Sequence, residues 1–253
     1  MLITSTTVLP ATRTEVSFRT SDGLTLVGEL SIPEHHPPVA TALFLHPLPT
    51  AGGFMDSHVI RKAAWRLPAL ADIAVLRFNF RGVSSPRGTS EGTFGEGIEE
   101  AHDLVAALDF VQAQGLPAPW LIGWSFGTEV ILKHARALVD RISGVLLLSP
   151  PLHRATDRDV AAWSDVSVPV VALIPEFDDF LPPEPARTRF GVAANIELVE
   201  AHGAKHLWVG EKQTSFVLGE ITKRLNPDAW PLPAAWPLPA AWPLPAAWPD
   251  ESP

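Results

Sequence analysis

As far as Leu225, apolar residues follow two alternating patterns. Short, near-continuous apolar runs lie at Ala40–Leu45, Ile73–Phe78, Trp120–Ile122, Gly144–Leu148 and Val168–Ile174. They are too short for helices and do not alternate with polar residues, so they predict strands buried on both faces. Between them, apolar residues recur at helical spacing. One helix is predicted over 57–70, through Val59, Ile60, Ala63, Ala64 and Leu67, with Pro68 breaking its end. A second spans 97–113, through Ala101, Leu104, Val105, Leu108 and Val111. Further helices are predicted over 126–138, 184–190 and 214–225, with a strand near 195–199. At the start, 15–19 and 24–32 flank Ser21-Asp22-Gly23 and predict a hairpin. Strands alternating with helices imply an α/β fold. Its sheet is mostly parallel, with about eight strands, helices on both faces and an antiparallel start.

The pattern stops near Asn226-Pro227. From Trp230 the hexapeptide Trp-Pro-Leu-Pro-Ala-Ala repeats three times, and Trp248-Pro249 begins a fourth copy. Proline at this density excludes helix and central strand and favours polyproline II or disorder. A six-residue period sets Trp230, Trp236, Trp242 and Trp248 on one polyproline face, an apolar stripe suited to self-association or to docking on a peptide groove. The chain thus divides into a folded domain, 1–226, and a tail, 227–253.

Composition narrows the chemistry. Of 253 residues, 46% are hydrophobic and 19% charged, enough for a substantial core. Cysteine and tyrosine are absent, which removes disulfides, thiolate nucleophiles, Cys-based metal sites and phenolic acids. The net charge of -9 makes nucleic acid an unsuitable partner. The first residues carry no basic, apolar leader pattern, and no apolar run reaches the roughly 18 residues of a membrane span. The expectation is a soluble cytoplasmic protein away from membranes. His35-His36 lacks further ligands at metal spacing, and the glycine-rich stretch 82–97 is acidic and lacks the Gly-Lys-Ser/Thr of a phosphate loop. Neither metal nor cofactor is expected.

The chemical signal is Gly123-Trp124-Ser125-Phe126-Gly127, set between a predicted strand and a predicted helix. A serine on so tight a turn needs glycine on both sides, because a Cβ would strike the neighbouring chain. The turn lifts the hydroxyl clear of the sheet and aims a helix N-terminus at the same point.

At these residues the chain resembles the α/β-hydrolase superfamily. His46-Pro47-Leu48-Pro49 and Asn79-Phe80-Arg81-Gly82 are similar to segments of its small cap-less esterase-like and dienelactone-hydrolase-like members. The resemblance implies a catalytic triad with Ser125 as nucleophile. Of the carboxylates in Pro175-Glu176-Phe177-Asp178-Asp179, it implies Asp178 as the acid, with Asp179 the competitor. Gly203-Ala204-Lys205-His206 implies His206 as the base rather than His202. The oxyanion hole falls to the N–H groups of Phe126 and Leu48, since Pro47 has none. His46 is expected to brace its loop, and Arg81 to pair across strand ends. Only Pro150–Ser167 stands where relatives insert a lid, too little for a cap domain, so an open cleft favouring short acyl groups is expected. The activity implied is carboxylic-ester hydrolysis on small soluble substrates. The alternatives are a peptidase or thioesterase using the same groups, or a binding protein that keeps the fold without catalysis.

Overall fold

The computed structural model describes residues 1–236. Eight strands form one sheet: β1 (Thr12–Arg19), β2 (Thr25–Ile32), β3 (Ala40–Leu45), β4 (Ile73–Phe78), β7 (Pro119–Trp124), β8 (Gly144–Leu148), β9 (Val170–Phe177) and β10 (Ile196–Lys205). A two-stranded ribbon, β5 (Ser84–Ser85) and β6 (Gly88–Thr89), follows β4. The order across the large sheet is β1-β2-β4-β3-β7-β8-β9-β10. β1 pairs antiparallel with β2, and β2 with β4; the remaining pairs are parallel. The mostly parallel sheet with its antiparallel start is what the alternation predicts, and the arrangement is the α/β-hydrolase fold that the resemblance implies.

Among the described residues, six helices flank the sheet: α1 (His58–Ala71), α2 (Glu100–Ala113), α3 (Phe126–His134), α4 (Asp157–Ala161), α5 (Pro183–Phe190) and α6 (Glu211–Leu225). Every residue of β3, β4, β7 and β8 is buried, which explains their near-continuous apolar runs; the buried Arg77 within β4 pairs with Glu29 at 2.8 Å. One face of the sheet packs on Val59, Ile60 and Leu67 of α1 and Val217 and Ile221 of α6. The other packs on Leu104 and Leu108 of α2, Val130 of α3 and Phe190 of α5.

Several boundaries depart from expectation, two of them for identifiable reasons. α1 does not break at Pro68 but runs through it to Ala71. Pro68 has no N–H for the carbonyl of Ala64, and the Arg13 guanidinium approaches that carbonyl instead, at 3.4 Å. α2 starts at Glu100, not Gly97: the Glu100 carboxylate accepts the N–H groups of Gly95 and Gly97 at 2.8 and 2.7 Å and holds the preceding turn outside the helix. The helix expected over 126–138 divides, with α3 ending at His134 and a 3₁₀ segment covering Ala135–Arg141.

The start of the tail lies against the domain. After a 3₁₀ turn at Pro227–Ala229, the Ile3 N–H donates to the Ala234 carbonyl at 3.0 Å and the Trp236 N–H to Met1 at 2.9 Å. Leu2 and Ala235 form an antiparallel bridge. Ala229 and Leu232 pack against the α1–α6 face of the core, and the Lys223 ammonium lies 5.7 Å from the Trp230 ring. The expectation of a tryptophan stripe continuing through Trp242 and Trp248 lies outside the described residues. Among the described residues, no helix is long and apolar enough to cross a membrane.

Candidate active site

The carboxyl ends of β3, β7, β9 and β10 open on one side of the sheet. In open α/β sheets, ligand sites form in the crevice at such ends. Here it is a cavity of about 770 Å³. Its walls are the β3–α1 loop, the start of α3 and the segments after β8, β9 and β10.

Ser125 stands between β7 and α3 at φ 51°, ψ −112°, a conformation that L-residues rarely adopt. Its surroundings hold it there. The Ser125 N–H donates to the Leu148 carbonyl at 2.9 Å, and its carbonyl accepts from the Thr128 N–H and hydroxyl at 2.9 and 2.6 Å. A Cβ on Gly127 would lie 2.1 Å from the Leu45 carbonyl oxygen, and one on Gly123 would lie 2.6 Å from the Gly127 carbonyl carbon. Both glycines are therefore required for β7, α3 and β3 to meet this closely.

The structure brings Ser125, His206 and Asp178 together. His206 Nε2 is 2.9 Å from Ser125 Oγ, and Nδ1 is 2.9 Å from Asp178 Oδ2. Asp178 is buried while Asp179, one residue on, is exposed. The other Asp178 oxygen accepts the N–H groups of Phe180 and Leu181 at 2.8 and 3.1 Å, which fixes the carboxylate plane. Burial pushes the Asp178 pKa up, but the hydrogen bond and charge of His206 and these two N–H groups outweigh it. The carboxyl is left below its ordinary value. The His206 carbonyl is held by the Trp124 indole N–H at 3.2 Å and the Ser149 hydroxyl at 3.1 Å, tying the histidine loop to the two central strands. The Phe180 ring closes the histidine's outer side, 4.6 Å between centroids. His202 is set apart, exposed, with its ring 3.6 Å from the Glu176 carboxylate.

Phe126 and Leu48 both line the cavity beside Ser125. The Leu48 segment is built from within. Its carbonyl accepts from Ala51 and Gly53 at 3.1 and 2.9 Å, and a Cβ on Gly53 would lie 2.1 Å from the Pro47 carbonyl oxygen. Behind it sits His46, fully buried. Its Nδ1 donates to the Pro47 carbonyl at 2.7 Å and its Nε2 accepts the Phe80 N–H at 3.1 Å. Burial lowers the His46 pKa to about 4, with the Pro47 carbonyl opposing, so the ring is neutral near pH 7 and its tautomer is set by these two partners. Arg81 points away from Ser125, pairing with Asp103 and Asp22 at 2.8 and 2.9 Å across α2 and the β1–β2 turn.

Sequence reasoning passed over several cavity residues. Glu129, one turn along α3 from Ser125, is buried and accepts the N–H groups of Arg154 and Ala155, pinning the wall after β8. A lone acid among the apolar residues of the elbow helix was the available signal. Asp56 also reaches the cavity, paired with the buried Arg77 that meets Glu29 at 2.8 Å. His58 packs edge-on to Trp124 and hydrogen-bonds the Trp208 carbonyl at 3.1 Å.

Comparison with known proteins agrees with this architecture. The model of the alpha/beta hydrolase family matches residues 42–253, and the chain belongs to that family. A lid-less α/β serine hydrolase from Xanthomonas campestris superposes with a TM-score of 0.69 at 29% identity, covering 91% of this chain and 99% of that one. A serine hydrolase homologue from Coxiella burnetii gives 0.68 at 24%, over 85% and 96%. An esterase from Pyrococcus furiosus shares the fold at 0.67 and 18%, over 85% and 94%. An uncharacterized protein of Rickettsia prowazekii is 32% identical over 135 residues, 53% of this chain and 54% of that protein, so the match spans about half of that relative's length.

Proposed function

We propose that the protein is a serine hydrolase that cleaves carboxylic esters of small soluble substrates in the cytoplasm through an acyl-serine intermediate. The observation that carries the reading is the unbroken line Ser125 Oγ, His206, Asp178, with both hydrogen bonds at 2.9 Å, at the floor of an open cavity. In this mechanism Ser125 Oγ attacks the acyl carbon while His206 Nε2 takes its proton. Asp178 holds the tautomer with Nδ1–H and stabilises the imidazolium. The carbonyl oxygen, now negative, accepts the N–H groups of Phe126 and Leu48. His206 returns the proton to the departing alcohol, and the acyl group stays on Ser125 Oγ. Water then gives a proton to His206 and attacks the acyl carbon, releasing the acid and restoring the serine.

No bound group is required at any step. We further propose that the tryptophan-rich tail presents an apolar surface to a second copy of the chain and supplies no group to the reaction. Exposure to a fluorophosphonate probe tests the central reading: the label should map to Ser125 and be absent from Ser125→Ala. Labelling elsewhere, or ester turnover that persists in Ser125→Ala, refutes it.

A further inference from the structure

The charged side chains around the cavity are unequal in what they have left to offer. Asp56 is neutralised from behind by Arg77 and by Arg87, whose Nε is 3.3 Å from it. Arg154 is the cavity's one guanidinium among the described residues, and it is already engaged. It meets Glu96 at 2.7 Å and Glu129 at 3.8 Å, with its charge lying over the Phe126 and Phe94 rings. Asp179 differs from both. It lines the cavity, is exposed, and has no ion-pair or hydrogen-bond partner among the described residues. Its neighbour Phe180 is 50% exposed, so an aromatic surface adjoins an uncompensated carboxylate. Such a pair suits an organic cation, through charge and through the ring quadrupole together.

Its position assigns the cation to one side of the substrate. The proton for the leaving alcohol comes from His206 Nε2, so the alcohol departs past that ring. Phe180 packs on His206 at 4.6 Å and on His153 at 5.0 Å. We infer that Asp179 and Phe180 form a leaving-group subsite selecting esters whose alcohol carries an ammonium group. The inference rests on the ester-hydrolase reading and adds the charge of the substrate to it.

The test is a set of kcat/KM ratios at pH 8. Acetylcholine is compared with 3,3-dimethylbutyl acetate, its uncharged isostere, and with a betaine ester, which carries the cation on the acyl side. In the native protein acetylcholine should be favoured over the isostere by about fivefold at low salt, shrinking toward twofold at 0.5 M salt. The betaine ester should show no such advantage. Asp179→Asn should bring the ratio near one, and Asp179→Lys should invert it; because each ratio is internal to one variant, general damage cancels. A native ratio of one or below overturns the inference, as does a preference that survives both substitutions. Turnover of the uncharged isostere, lost in Ser125→Ala, reads the hydrolase assignment separately. Failure to cleave any of the three esters would sink that assignment and this subsite with it.

Discussion

His46 makes the stability of this protein depend on pH in a predictable direction. Its folded pKa of about 4 lies well below the 6.5 of a free imidazole, because the ring is wholly buried, with the Pro47 carbonyl opposing; its Nε2 accepts the Phe80 N–H. A proton on Nε2 would abolish that bond and place an unpaired charge in the core. Above about pH 7 the ring is neutral in both folded and unfolded chains and contributes no pH dependence. As the pH falls through 6.5 the unfolded chain takes up a proton that the folded chain refuses until about 4, so stability is lost across that window. Integrated down to pH 4, this amounts to about 3 kcal/mol, a large share of an ordinary domain's stability. Urea unfolding from pH 4.5 to 7.5, on the native chain and on His46→Gln, reads the effect. Glutamine has one donor and one acceptor of comparable reach and does not titrate. The variant will be less stable at neutral pH, and its stability should fall less steeply toward acid. His58, also lowered chiefly by burial, and the paired carboxylates titrate in both proteins and cancel in the difference. Parallel pH curves for the two proteins would refute the argument.

Asp178→Asn should lower kcat by about four orders of magnitude by favouring the wrong histidine tautomer, far more than Asp179→Asn; equal losses would remove Asp178 from its role. Gly127→Ala should cost at least about 2 kcal/mol in urea unfolding, because the Leu45 carbonyl is backbone and cannot turn aside; a variant of native stability would contradict the packing. Removing residues 237–253 should leave the melting temperature unchanged, whereas removing 227–253 should lower it by about 5 °C by uncovering the surface beneath Ala229 and Leu232. The shorter deletion should also abolish any concentration-dependent increase in mass seen by light scattering. Among acyl chains, short esters should turn over faster than long ones, since α4 is the only helix between β8 and β9 and encloses little of a long chain.

What the sequence disclosed follows from which constraints are local. Residues 123–127 were legible because a serine on so tight a strand-to-helix turn needs glycine on both sides, and glycine is visible in the sequence. The strands were legible because burial on both faces leaves few polar positions to interrupt them; Arg77 in β4 is an exception, neutralised by Glu29 and Asp56. α1 was misjudged at Pro68 because the compensating group is Arg13 of β1, remote in sequence and free of any periodic signal. The same distance hid the cavity's charge balance. Asp56, Glu129 and Arg154 belong to three separate segments, and each looks like a surface residue until its partner is placed. Asp178 and Asp179 show the limit most sharply, as adjacent residues of one type in one loop. The backbone turns between them, so that one carboxylate is buried against His206 with three hydrogen bonds and the other faces the cavity with none. Composition and spacing rank both acids equally, and only the family resemblance singles out Asp178; their division into a buried acid paired with His206 and an exposed, unpaired one arises when the loop closes over the end of β9.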